Sequence, residues 1–152
     1  MKKIVPALCL GVVMLTGGTC SATIAPSQLV LGGITQNATP AEVEEVYGAP
    51  RRSETEQEYY GQELEYEYGN KLEFKFINGK LRKIKAEDYS DAKTAAGIGL
   101  GADVAAVKKA YGEPDAIHED KFVYYVAGDS SLGLTFEFEH GRVEEIACGD
   151  IT

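Results

Sequence analysis

The phrase Tyr-Gly-x-Pro occurs twice in this chain, as Tyr47-Gly48-Ala49-Pro50 and as Tyr111-Gly112-Glu113-Pro114. It is part of a longer correspondence. Ile34, Val43, Tyr47, Gly48 and Pro50 recur as Ile98, Val107, Tyr111, Gly112 and Pro114, all at an offset of 64. After a two-residue shortening, the run Leu72–Leu81 lies over Leu134–Val143 and Ile84 over Ile146, at an offset of 62. A chain that keeps its apolar phase and turn glycines over about fifty residues reads as a duplication, so the fold must accommodate one unit used twice.

Each unit can be read residue by residue. Thr39 suits a helix N-cap, Pro40 the first helical position, and Glu42 can close a capping box onto Thr39. Val43, Val46 and Tyr47 then form an apolar stripe at i, i+3, i+4 spacing. Gly48 is expected to end the helix in the left-handed conformation, and Pro50 blocks its resumption. In the second unit Asp103 is the cap, Val104, Val107 and Tyr111 are the stripe, and Gly112 and Pro114 are the stop. Helices of about two turns are unstable alone in water and must pack on something.

A sheet supplies that support. Leu72, Phe74 and Phe76 alternate with Glu73 and Lys75, and Leu134, Phe136 and Phe138 with Thr135, Glu137 and Glu139. Period two marks half-buried antiparallel strands. Asn78-Gly79 is a strong hairpin signal and His140-Gly141 a weaker form of it. The strands near Leu81–Ala86 and Val143–Cys148 break parity between Leu81 and Ile84 and between Val143 and Ile146, as a bulge or a strong twist would. Leu64, Tyr66 and Tyr68 alternate with Glu63, Glu65 and Glu67 in a further strand. Tyr59-Tyr60 and Phe122–Val126 suggest one more strand in each half. The fold class is α+β: two tandem repeats, each a short helix followed by an antiparallel meander, forming one curved sheet backed by the helices. Repeat 1 covers 34–88 and repeat 2 covers 98–152. A linker at 89–97 lies between them, and a lead segment at 23–33 precedes them.

Residues 1–22 read as a signal peptide: a basic Met1-Lys2-Lys3, an apolar run from Ile4 to Leu15, and small residues at Cys20-Ser21-Ala22. The apolar run is too short to span a bilayer comfortably, so no stable membrane insertion is expected after cleavage. The expected location is periplasmic or extracellular. The alternative is an outer-membrane lipoprotein anchored at Cys20, although Gly17 and Thr19 depart from the usual lipidation pattern. Losing Lys2 and Lys3 takes 15 basic residues to 13 against 24 acidic ones, a net charge of −11. Such a chain is repelled by phosphate backbones and anionic membranes, which argues against nucleic acid as a partner. Cys9 and Cys20 leave with the leader, so Cys148 remains alone and reads as a small buried hydrophobe.

The run Gly97–Asp115, then Tyr124-Tyr125, then the pattern Leu-x-Phe-x-Phe-x-x-Gly-x-Val from Leu134 to Val143, resembles the SmpA/OmlA and β-lactamase-inhibitor-protein (BLIP-like) group. The resemblance implies a helical segment ending at a Gly-Pro stop and a meander ending in a Phe-x-x-Gly hairpin. It also implies that the tandem copies form one curved sheet backed by helices. The matching residues are scaffold positions, so no inhibitory residues carry over.

Candidate chemistry is sparse. Gly128-Asp129-Ser130 resembles the Gly-Asp-Ser of one esterase class, and Asp115-Ala116-Ile117-His118 supplies an Asp-x-x-His. The order is inverted relative to that class, and Gly128–Leu132 reads as a polar hairpin loop. His118 and His140 have no ligand spacing, so neither a metal nor a cofactor is expected. Asn37-Ala38-Thr39 matches a glycosylation sequon, with Thr39 already explained as a cap. The notable composition is the row Glu63, Glu65 and Glu67, expected to share one sheet face with Glu73, Lys75 and Glu137. Exposed tyrosines among Tyr59, Tyr60, Tyr124 and Tyr125 would act as anchors on that face.

These residues point to an exported, non-enzymatic, inhibitor-like module that binds a protein partner, a basic one by charge, with its sheet face and loops. An envelope assembly accessory lipoprotein of SmpA/OmlA type is the alternative. A hydrolase using Ser130 is the remote one.

Overall fold

The computed structural model describes residues 23–151. The leader, Cys9, Cys20 and the lipidation alternative lie outside those residues. The lead segment holds a single 3-10 turn at Pro26–Gln28 and a small hairpin, β1 (Val30–Leu31) with β2 (Ile34–Thr35). Helix α1 (Pro40–Tyr47) then leads into β3 (Arg52–Glu58), β4 (Gly61–Glu67), β5 (Leu72–Ile77) and β6 (Lys80–Glu87). Helix α2 (Val104–Tyr111) leads into β7 (Ala116–His118), β8 (Lys121–Val126), β9 (Asp129–Glu139) and β10 (Arg142–Asp150). The eight strands β3 to β10 form one antiparallel sheet in the order β3-β4-β5-β6-β10-β9-β8-β7. The fold is therefore α+β, with two helix-led meanders joined at their last strands. At that seam Lys85 lies opposite Ala147, and these two residues are themselves related by the offset of 62.

The period-two pattern settles which side packs. Leu72, Phe74, Phe76, Ile84, Leu134, Phe136, Ile146 and Cys148 all point to one side and are buried. The loss of parity in β6 and β10 comes from a register shift in each. Leu81 pairs with Phe76 and Lys83 with Lys75, which leaves Arg82 as the extra residue; Val143 and Glu145 flank the corresponding Glu144. One inserted residue lets Leu81 and Ile84, and likewise Val143 and Ile146, face the same core. The two hairpins have positive φ at both central residues, +50° and +73° for Asn78-Gly79 and +50° and +74° for His140-Gly141. That is the turn chemistry whose twist matches a two-residue hairpin.

The helices start as their sequences dictate. Thr39 and Glu42 form the reciprocal capping box, and Asp103 accepts from the backbone of Ala106 at 2.8 Å. Their ends differ from expectation. Gly48 (φ 75°, ψ −164°) and Gly112 (φ 81°, ψ −162°) have positive φ but are not left-handed helical. They occupy a fully extended mirror region that essentially only glycine visits, which throws the chain sharply away from the helix axis. The apolar stripe of α1 is also narrower than its spacing suggested. Val43 is buried, but Val46 is 61% exposed. At 100° per residue Val46 lies on the far side of Val43 from Tyr47, outside the arc that meets the sheet. Ala110 takes the corresponding place in α2 and is exposed as well.

Two aromatic trios fasten the helices to the sheet. Tyr47, Tyr68 and Phe74 meet with ring centroids 5.4, 5.5 and 5.6 Å apart. Tyr111, Tyr124 and Phe136 repeat the arrangement at 5.5, 5.5 and 5.9 Å. Their tilted and edge-on contacts are the favoured ones for aromatic quadrupoles. Each hydroxyl has a partner: Tyr47 donates to the Gly32 carbonyl, Tyr111 to Thr94 Oγ1, Tyr68 to the Gly48 carbonyl and Tyr124 to the Gly112 carbonyl. The 89–97 segment contains no helical turn. It is tied to the lead segment through a Leu31–Thr94 bridge, with Ser90 and Thr94 buried.

Candidate binding face

With α1 and α2 on one side, the opposite side of the eight-stranded sheet carries no secondary-structure layer among the described residues. Cross-strand register fixes what it presents. One row runs Glu54, Glu65, Lys75, Lys83, Gly149, Gly133, Tyr125. The next runs Arg52, Glu67, Glu73, Lys85, Ala147, Thr135, Val123. A third places Glu87, Glu145, Glu137 and Lys121 side by side. The structure thus brings together on one face the expected Glu65, Glu67, Glu73, Lys75 and Glu137, with Glu63 one step along β4.

Most of these charges are paired locally. Lys75 reaches Glu63 at 2.9 Å, Lys85 reaches Glu87 at 3.1 Å and Glu73 at 3.3 Å, and Lys121 reaches Glu137 at 2.7 Å. Lys75 and Tyr60 both donate to the Glu63 carboxylate, which lowers its pKa. The same hydrogen bond to Glu63 pushes the Tyr60 hydroxyl up to about 12. Lys83 has no ion-pair partner among the described residues. It stands directly opposite Lys75 in the register and lines both hollows of the face. The first hollow, of 190 Å³, is walled by Glu65, Glu73, Lys75, Lys83 and Lys85.

The two halves are not alike here. Positions occupied by Glu65, Lys75 and Lys83 in the first half hold Lys121, Glu137 and Glu145 in the second, a reversal of sign at each place. Glu67, Glu73 and Lys85 give way to Val123, Thr135 and Ala147, which floor a second hollow of 260 Å³. These three are only 5%, 8% and 3% exposed although no helix among the described residues covers them. Tyr125, His118, Lys121 and Ser130 rise around them. Sequence reasoning missed this hollow because Thr135 and Ala147 carry no chemical signal. The pairing of a mixed row in one half with a small-residue row in the other could have been seen by comparing the copies.

The tyrosines sort differently from expectation. Tyr59 and Tyr60 are not in a strand but form the turn between β3 and β4, because Arg52–Glu58, an all-polar run, takes the strand position. Their rings meet edge to face at 4.9 Å, Tyr59 is 97% and Tyr60 44% exposed, and the Tyr60 hydroxyl donates to Glu63 at 2.7 Å. Tyr125 lies on the uncovered face. Tyr124 does not: alternation turns it to the helix side, where it is fully buried, so it cannot serve as a surface anchor. The Gly128–Leu132 run is not a free loop either, since β9 begins at Asp129. The Asp129 carboxylate accepts from the backbone and hydroxyl of Ser131 at 3.0 and 2.6 Å, while Asp115 accepts from the Tyr125 amide at 2.8 Å. Both carboxylates named by the hydrolase reading thus hold backbone in place. Cys148 is buried in β10, and its burial pushes the thiol up to about 12, away from thiolate chemistry.

No protein-family model matches the chain, and no curated protein matches it. Among solved structures it is similar to an extracellular protein containing a SCP domain from Bacillus anthracis str. Ames. The identity is 10% and the TM-score 0.52, over 76% of this chain and 44% of that one. This chain thus spans less than half of that protein's length, and the likeness concerns the fold alone. Looser alignments join it to a "putative beta-lactamase inhibitor protein" from Streptococcus mutans (16% identity, TM-score 0.34, 72% of this chain and 80% of that one). They also join it to a DUF4309 family protein from Bacillus subtilis subsp. subtilis str. 168 (15% identity, TM-score 0.45, 78% and 82%). The SmpA/OmlA side of the resemblance has no counterpart in these comparisons.

Proposed function

We propose that this chain is an exported, non-enzymatic binding module, built from two copies of one unit at 34–88 and 98–152, that docks a protein partner on the uncovered face of its sheet. The observation that carries the reading is the Tyr59–Tyr60 pair. Two large aromatic rings stand out from a hairpin tip, and one of them is tied by its hydroxyl to Glu63 on that face. Tyrosine gives a large contact area at little entropy cost, and exposed tyrosines dominate binding energy where they seat in a partner's pocket. The 260 Å³ hollow at the other end of the face offers a complementary socket for a partner side chain. Paired charges between these points favour register over raw affinity. The leader-like residues 1–22, together with a structural neighbour described as extracellular, support export.

The test is capture from envelope and culture-supernatant fractions by the immobilised chain, repeated with a Tyr59→Ser, Tyr60→Ser variant. Loss of two aromatic anchors should weaken capture of the principal partner at least about tenfold. Unchanged capture would remove the observation on which the proposal stands.

A further inference from the structure

The two edges of the sheet are finished differently. On the second half's side, β7 is only three residues long. Where β7 stops, the lead segment takes over: Ile24 donates to the Tyr125 carbonyl at 2.8 Å and accepts from the Ala127 amide at 2.9 Å. That edge is short and partly covered. On the first half's side β3 runs seven residues, Arg52 to Glu58, paired to β4 without a register shift. Six of its seven residues are exposed, and it contributes no residue to the buried core. In an antiparallel edge strand every second residue turns its N–H and C=O outward, away from its neighbour. Here those groups face no further strand among the described residues. Proteins usually blunt such an edge with charged side chains, a proline, a bulge or brevity, and β3 uses only the first of these, Arg52, Glu54, Glu56 and Glu58.

Its side chains choose the occupant. Glu54, Glu56 and Glu58 alternate onto the uncovered face. There Glu54 lies directly opposite Glu65, and Glu56 opposite Glu63. Like charges placed directly across a strand pair repel. Arg52 pairs with Glu54 at one end only, and Glu56 and Glu58 have no ion pair among the described residues. The same row prevents two copies of β3 from pairing with each other, since glutamates would again meet glutamates. A strand with lysine or arginine at alternate positions would relieve the repulsion and satisfy the free backbone groups together.

We propose that β3 receives an extended basic segment of the protein partner as a ninth strand of the sheet, the mode of recognition in which backbone bonds give affinity and alternate side chains give selectivity. This rests on the protein-binding reading above and names the chemistry of the partner. The added strand would lie beside the Tyr59–Tyr60 turn, so the aromatic pair and the edge would act on one ligand.

The probe is a heptapeptide alternating lysine with threonine, titrated into the isotopically labelled protein and followed by amide shifts and hydrogen exchange. Its controls are the glutamate–threonine counterpart and a lysine peptide with N-methylated backbone amides. Supporting results are slowed exchange at alternate β3 amides with the lysine peptide, its loss with the N-methylated one, and about tenfold weaker binding to a Glu56→Lys, Glu58→Lys variant. Glu56 is exposed and Glu58 half-buried at the strand's end, and neither has an ion pair among the described residues, so circular dichroism should show the variant folded. Overturning results are binding without β3 protection, equal binding of the N-methylated peptide, indifference to the charge reversal, or a dimer of the chain formed through β3. If the peptide fails while the Tyr59, Tyr60 variant still loses its partner, only the edge assignment falls.

Discussion

Tyr68 donates its hydroxyl to the carbonyl oxygen of Gly48 over 2.9 Å, closing the end of α1 from a position twenty residues further along the chain. Tyr124 does the same for Gly112 at 2.9 Å, at the end of α2. The final carbonyls of a helix lack intrahelical partners. Here the sheet supplies the donor, and the twice-used Tyr-Gly-x-Pro phrase is the acceptor side of the joint. Removing the hydroxyls in Tyr68→Phe or Tyr124→Phe keeps the ring packing but leaves that carbonyl short of a partner. Each variant should lose about 1–2 kcal/mol of unfolding free energy in urea titration. A loss near zero in both would mean that solvent satisfies the carbonyls unaided.

The glycine of the phrase should matter through its backbone alone. At Gly48 an added Cβ would meet no atom within 4 Å, yet φ is +75° with an extended ψ, and Gly112 shares that backbone at φ +81°. Gly48→Ala and Gly112→Ala should each cost about 1–3 kcal/mol in backbone strain. Gly149→Ala should be worse. Its Cβ would fall 2.1 Å from the Arg82 carbonyl oxygen on the adjacent strand, which would force β6 and β10 apart at the seam joining the halves. Urea midpoints for the three variants should rank Gly149→Ala as the least stable.

Alkaline pH should weaken the fold before acid chemistry can explain it. Burial holds the Cys148 thiol up at about 12 against an ordinary 9.0, and the hydrogen bond to Glu44 holds the Tyr66 phenol up at about 12 against 10.0. In both the folded state keeps the proton that the unfolded chain releases. Their contribution is complete below pH 9 and is lost as pH rises through the folded values. Stability measured from pH 8 to 11 should therefore be level to about 9 and then fall, each group adding up to about 1.4 kcal/mol per pH unit. A flat profile to pH 11 would show that these groups are solvated.

The same burial predicts that Cys148 resists thiol reagents in the native protein at pH 8. Peptide mass spectrometry after iodoacetamide treatment should find it unmodified, and fully modified once urea unfolds the chain. Native labelling at a rate comparable to a free thiol would contradict the packing of β10 against β6 and β9.

Much of the scaffold is legible in the sequence because each part of it has a local cause. Thr39 and Glu42 are a capping box by type and spacing, Asn78-Gly79 demands its turn, and Phe74 and Phe76 can face only one side of a pleat. What is not legible depends on neighbours far along the chain. Val46 has the spacing of a core residue, but the arc that meets the sheet is set by Tyr47 and Phe74. Tyr59-Tyr60 has strand-forming residues, yet the ladder with β4 places the turn there and assigns the strand to Arg52–Glu58, whose glutamates have poor strand propensity. Tyr124 and Tyr125 differ by one step in a period of two, so an exposed anchor and a buried one are indistinguishable until the register is known. The hollow over Val123, Thr135 and Ala147 exists only because five strands are assembled around it.

The central claim, that the uncovered sheet face receives a protein, is tested most directly by light-activated cross-linking from single introduced benzophenone side chains. Lys83, without an ion pair among the described residues and at the middle of that face, and Tyr59 at its tip are the informative positions; Ala110, exposed on the helix side, is the control. The account predicts covalent adducts with one partner from positions 83 and 59 and none from position 110. Adducts confined to position 110, with positions 83 and 59 silent, would contradict it.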